Sequence, residues 1–221
     1  MSRIIFEDEY VIVFPTFRET SAHAHPFYHI FFLGDDEILV TGSGMKHTMP
    51  ECRLFLMIDP TSDIAEHLND LLTGEAPERI SLSSPLVLDG EDDASVSISV
   101  ERCLTENGFR GPRPAEDTVE DYRVVRLIRE INEYRYLDEK IDKIASGYGI
   151  SESRLSHAFK ETVGISLKGY LMIAQLKHAY LLVMAGESKT RAALDSGFAS
   201  PAHLAYVCKK QMGISITEVL K

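Results

Sequence analysis

Ile141–Gly164 reads IDKIASGYGISESRLSHAFKETVG, and Thr190–Gly213 reads TRAALDSGFASPAHLAYVCKKQMG. At an offset of 49 residues Ala145 meets Leu194, Ile150 meets Ala199, Ser151 meets Ser200, Leu155 meets Leu204, Lys160 meets Lys209 and Gly164 meets Gly213. Each copy is a short helix, a glycine-bearing break and a longer helix opened by serine, whose hydroxyl satisfies an amide that the first turn leaves unbonded. A single copy reads as a structural helical hairpin, whereas two in register point to a duplicated helix–turn–helix unit. Between them Leu167–Met184 is amphipathic and 18 residues long. At 1.5 Å per residue that is roughly 27 Å of helix. A strut of this length would hold two recognition helices about 34 Å apart, the spacing of successive major-groove faces of one duplex.

A surface that reads DNA needs positive charge, yet the 221 residues carry a net charge of -11. The distribution resolves this. Residues 1–139 hold 12 Lys/Arg against 28 Asp/Glu (-16), and residues 140–221 hold 11 against 6 (+5). An acidic front joined to a basic rear fits a chain in which only one part meets a polyanion. The composition, 44% hydrophobic and 26% charged, is that of a globular protein long enough for one large or two small domains. Cys52, Cys103 and Cys208 lie too far apart in sequence for a metal motif and suit reduced thiols. The apolar run Tyr170–Ala185 is broken by Gln175, Lys177 and His178, and the N-terminus has no basic region followed by an apolar core. Neither a membrane span nor a signal peptide is expected, and the cytoplasm is the expected location.

The front reads as β. Tyr10–Phe17, Phe27–Leu33, Glu37–Thr41 and Arg53–Ile58 are rich in branched and aromatic residues, separated by Gly34-Asp35-Asp36 and Gly42-Ser43-Gly44. Short strands at close spacing predict a small antiparallel barrel or sandwich. Ser62–Leu72 follows as a helix capped by Ser62 or Asp63, with Gly74 as its stop. Residues 94–100 alternate like a strand, but Asp92 and Asp93 also suit a helix cap. Asn107–Pro114 (NGFRGPRP) is the best linker, so the chain divides into 1–106, a linker over 107–116, and 117–221. The rear is all helix, beginning with Thr118–Tyr134, whose Tyr122, Val125, Ile128, Arg129 and Asn132 recur at helical spacing beside Val124, Leu127 and Ile131. The expected class is α+β with two domains.

In the first recognition helix Leu155 and Phe159 fall inward, and Ser153, Arg154, His157 and Lys160 fall outward. Arg154 is the candidate base reader, because a guanidinium can bond guanine O6 and N7 together. Ser153 suits phosphate, and His157 and Lys160 suit base or backbone. In the second unit Pro201, Ala202, Tyr206 and Lys209 take the corresponding outward positions.

The segment Asp121–Leu220 resembles the DNA-binding domain of the AraC/XylS family of bacterial transcription regulators. The likeness is strongest at Ser151–Lys160, Gly164–Leu167, Tyr170-Leu171 and Asp195–Phe198. It implies seven helices, two helix–turn–helix units with a linking helix, and a small effector or dimerisation domain in front. It also implies double-stranded DNA and a small-molecule effector as partners, RNA polymerase for an activator, and a monomer or homodimer. The chain departs from the family pattern at Gln175, Lys189, Tyr206, Cys208 and Ile216, which replace an Arg, an apolar residue, a basic residue, a Phe and a Pro. In front, His23-Ala24-His25, His29 and Gly42–His47 look like a reduced cupin pattern without its acidic ligand. That likeness implies a divalent metal on His23, His25 and His47, with Tyr28 and His29 assigned to an effector. No activated nucleophile, phosphate loop or paired catalytic carboxylates are evident, so an enzyme is not expected. The rival readings are a metal-dependent cupin enzyme and a regulator-derived protein with weakened DNA binding.

Overall fold

Branched and aromatic residues in short runs build one antiparallel sheet from β1 (Arg3–Phe6), β2 (Tyr10–Phe14), β3 (Tyr28–Phe32), β4 (Glu37–Thr41), β5 (Leu54–Ile58) and β6 (Glu78–Ser81). The computed structural model describes residues 3–16, 22, 24, 26–110 and 121–212. They belong to two units, Met1–Ala115 and Glu116–Lys221. Strand order is β1-β2-β5-β3-β4-β6, and among the described residues the outer strands β1 and β6 are not paired with each other. These two edges are the strands that the sequence pattern does not reveal. Each has four residues, and β6 (ERIS) has no buried position. The central β5 (LFLMI) is buried at all five positions, so the side chains on both of its faces are shielded from water.

One face carries Ile12, Ile30, Phe32, Ile38, Val40, Leu54 and Leu56. It packs on Ile64, Ala65 and Leu68 of α1 (Asp63–Leu71) and on Val96, Val100, Cys103 and Leu104 of α2 (Asp93–Glu106). The undecided segment 94–100 is therefore helix. Asp92 caps it by accepting the Ser95 amide at 2.9 Å, and Ile98, which completes the strand-like alternation, is 66% exposed.

The front unit extends past the expected boundary at residue 106. Gly108 takes φ 75 after α2 and returns Phe109 to the core, where it is buried. The Asn107 carboxamide accepts the Ser83 and Ser84 amides and donates to the Ser84 and Cys103 carbonyls. Arg110 pairs with Glu9 and Glu101. What reads as linker over 107–110 is a helix cap with an anchor. The remainder, 111–116, lies outside the described residues.

The rear unit shows α3 (Tyr122–Asn132), α4 (Ile141–Gly147), α5 (Glu152–Val163), α6 (Leu167–Met184), α7 (Lys189–Asp195) and α8 (Pro201–Met212). These are six of the seven implied helices, with residues 213–221 outside the description. In α3 the buried stripe is Val124, Leu127, Glu130 and Ile131, while Tyr122 and Val125 face solvent. The charge asymmetry also narrows once the structural boundary is used. Residues 116–221 hold 15 Lys/Arg and 14 Asp/Glu, so the basic excess begins only after α3.

Candidate nucleic-acid interface

The first unit is built on two buried side chains. Leu155 and Phe159 of α5 are fully buried, and the Phe159 ring meets Tyr170 of α6 with centroids 5.4 Å apart. The Tyr170 hydroxyl donates to Asn132 Oδ1 at 2.8 Å, which ties α6 to α3. Ser151 caps α5 by accepting the Arg154 amide, and Gly164 ends it at φ 80, where a side chain would be strained. With the inward side committed, Ser153, Arg154, His157 and Lys160 are all exposed on α5. His157 Nδ1 lies 3.0 Å from Glu161, so a carboxylate shares this surface. Arg123 holds the Asp121 carboxyl below the ordinary range by hydrogen bonding, and the Arg154 charge adds a smaller pull.

The second unit repeats the design with one change of register. In α4 Ile144 and Ala145 are buried, and in α7 Ala192 and Ala193 are buried. Ile150 N–H donates to the Ala145 carbonyl, and Phe198 N–H donates to the Ala193 carbonyl. The first helices and turns therefore align at an offset of 48, with Ala145 opposite Ala193 and Ile150 opposite Phe198. Leu194, opposite Ala145 in the sequence comparison, is 56% exposed. The recognition helices keep the offset of 49, since Ser200 caps α8 as Ser151 caps α5. The extra residue in the second turn is Ala199. In α8 Leu204, Val207 and Cys208 are buried with Phe198, Leu176 and Ala179. Ala202, Tyr206 and Lys209 are exposed, and Pro201 is half-buried.

Three polar joints that sequence reading missed hold the helices in place. Glu130, buried on α3, accepts the Tyr136 and Tyr148 hydroxyls at 2.7 Å and Arg126 Nε at 3.0 Å. The tyrosine hydrogen bonds, then Arg126, lower its pKa to about 2. Gln175 Nε2 donates to the Leu137 carbonyl and joins α6 to the segment before α4. His178 Nδ1 lies 2.9 Å from Ser196 Oγ, and its ring rests 4.6 Å from that of Tyr134. Burial keeps the His178 imidazole below its ordinary value, with Asp195 opposing.

Glu130 yields a signed prediction. A depressed carboxylate contributes stability that is present above its unfolded value near 4.5 and is lost as pH falls toward about 2. Glu130→Gln is expected to cost about 1.5–3 kcal/mol at neutral pH, the range for hydrogen bonds to a charged group. Urea unfolding at pH 7 and pH 3 should show the gap between variant and wild type shrinking in acid.

The helix-turn-helix domain family matches residues 144–221. The rear unit carries an AraC-type helix-turn-helix domain. Residues 144–221 are thus a helix-turn-helix domain, the motif that places its second helix in the major groove of DNA. No curated protein matches the chain. Among solved structures, the C-terminal domain of AraT, a response regulator from Geobacillus stearothermophilus, is 21% identical with a TM-score of 0.43, over 47% of this chain and 87% of that one. ToxT from Vibrio cholerae O395 is 12% identical with a TM-score of 0.46, over 92% of each chain. Wild-type ToxT from V. cholerae strain SCE256 with bound unsaturated fatty acid is 12% identical with a TM-score of 0.45, over 97% of this chain and 95% of that one.

In the front unit, Tyr28 and His29 are neighbours on β3 and so face opposite sides of the sheet. The Tyr28 hydroxyl reaches Asn69 of α1 at 3.3 Å, whereas His29 is buried on the other face. The two do not line one site. His29 instead joins His47, with ring centroids 4.9 Å apart, beside Phe31 and Phe55. Its Nδ1 lies 3.1 Å from Thr41 Oγ1, and His47 Nδ1 lies 2.9 Å from the Met45 carbonyl. His23 and His25 lie outside the described residues. Among the described residues no three His, Cys, Asp or Glu side chains are grouped as a metal would need. No helix among them is long and apolar enough to cross a membrane.

Proposed function

We propose that this chain is a DNA-binding transcription regulator that reads two adjacent major-groove segments of one duplex, with α5 in one and α8 in the next, under control of a ligand taken up by the front unit. The observation that carries this is the repeated recognition helix, serine-capped and apolar inward in both copies, on either side of the 18-residue α6. Arg154 reads a base edge, and Ser153, His157 and Lys160 position the helix on the backbone. Pro201, Ala202, Tyr206 and Lys209 supply the second contact surface. On the front sheet, the polar group of His29, Thr41 and His47, set among the Phe31 and Phe55 rings, is where a small organic effector would be taken up. A divalent metal is the competing ligand. His23, His25 and His47 are the imidazoles that would hold it, neutral imidazole being a good ligand for first-row divalent metals. The regulator works in the cytoplasm, as monomer or homodimer, and meets RNA polymerase where it activates.

Random-site selection with the full chain, followed by salt titration, tests the reading. Log affinity should fall against log salt by roughly 0.9 for each phosphate neutralised. Arg154→Ala should remove about 1–3 kcal/mol of discrimination between the selected site and random DNA. Equal loss on both DNAs would place Arg154 on phosphate. Binding indifferent to salt, or no selected sequence at all, would overturn the reading.

A further inference from the structure

The one-residue difference between the two turns singles out His203. Counting from the capping serines, His203 stands in α8 where Arg154 stands in α5: the Arg154 amide donates to Ser151 Oγ at 3.3 Å and the His203 amide to Ser200 Oγ at 3.1 Å. Leu155 and Leu204, the next residues, are both buried, and Arg154 and His203 are both exposed. What differs is how the side chain is held. The extra turn residue Ala199 donates its N–H to His203 Nδ1 at 3.4 Å. The ring also meets Phe198 edge-on, with centroids 5.5 Å apart. With Nδ1 accepting, the neutral imidazole carries its hydrogen on Nε2 and offers one donor outward.

We infer that His203 is the specificity-determining residue of the second unit and selects a purine through its N7 acceptor. This rests on the proposed two-segment reading of DNA. Guanine and adenine both present N7 in the major groove, and a single donor does not distinguish them, whereas the fork of Arg154 distinguishes guanine by N7 and O6 together. The two half-sites are therefore unequal, one strict for guanine and the other satisfied by either purine. Tyr206 and Lys209, one and two turns further along α8, lie beyond this first-turn position and act on flanking groups.

Random-site selection with wild type, His203→Ala and His203→Gln tests the assignment, with thermal unfolding of each protein alongside. Wild type should show one position occupied by guanine or adenine at equal frequency. His203→Ala should erase the preference there alone, leave the Arg154-dependent guanine, and weaken the selected site about fivefold, the value of one hydrogen bond. His203→Gln puts an amide of similar reach at an exposed helix position and leaves the Ser200 cap in place, so thermal unfolding should stay near that of wild type. Its amide pairs with adenine N7 and N6, so the purine position should turn to adenine. A merely structural role would change the melting temperature and leave every base preference in place, which overturns the assignment. A wild type that selects no sequence brings down the two-segment reading and this assignment together. A wild-type consensus that all three proteins share brings down the assignment alone.

Discussion

Phe159→Ala is expected to lower the stability of the rear unit by about 3–5 kcal/mol, the range for truncating a buried aromatic. Phe159 is fully buried and meets the Tyr170 ring, whose hydroxyl reaches α3, so its loss leaves a void at the junction of α3, α5 and α6. Native domains hold only about 5–15 kcal/mol in total, so the recognition surface of α5 should be largely lost at 37 °C. Urea unfolding of the full chain, with DNA affinity measured alongside, checks this. Loss under 1 kcal/mol would mean that neighbours collapse into the space. The second unit shows why size matters there: Cys208 occupies the matching position, and Phe198 shares its cluster.

Gly197→Ala is expected to cost about 2–5 kcal/mol. Gly197 sits at φ 80, a conformation that costs an L side chain about 1–2 kcal/mol. A Cβ there also collides with the Leu137 carbonyl oxygen, the group that accepts from Gln175 Nε2, and such overpacking adds about 1–3 kcal/mol. Gly149 is the control. It takes φ 67 in the first turn, but a Cβ there meets nothing within 4 Å. Gly149→Ala should show the backbone cost alone, and equal losses for the two variants would discount the packing against Leu137.

The sequence by itself determined the duplicated helix–turn–helix, the serine caps, the bounds of α6 and the inward and outward sides of α5. These are local properties: a cap needs one hydroxyl three residues from an amide, and a helical face needs only the 3.6-residue period. It also placed the four inner strands, whose branched and aromatic runs are unambiguous. Tertiary structure decided the rest. Residues 94–100 suited strand or helix equally, and burial of Val96, Val100 and Leu104 against the sheet chose helix. Gly108 reads as part of a linker in sequence, but with Phe109 in the core it is a helix terminus. Tyr28 and His29 look like one site in sequence, and their place on β3 sends them to opposite faces, Tyr28 toward Asn69 of α1 and His29 toward Thr41. The extra residue at Ala199 escaped alignment by composition because Leu194 and Ala193 both suit a short apolar helix; burial distinguished them. Glu130 was unreadable for the same reason. A charge on the apolar stripe of α3 conflicts with its local pattern, and only Tyr136 and Tyr148, brought in from later in the chain, make its burial favourable.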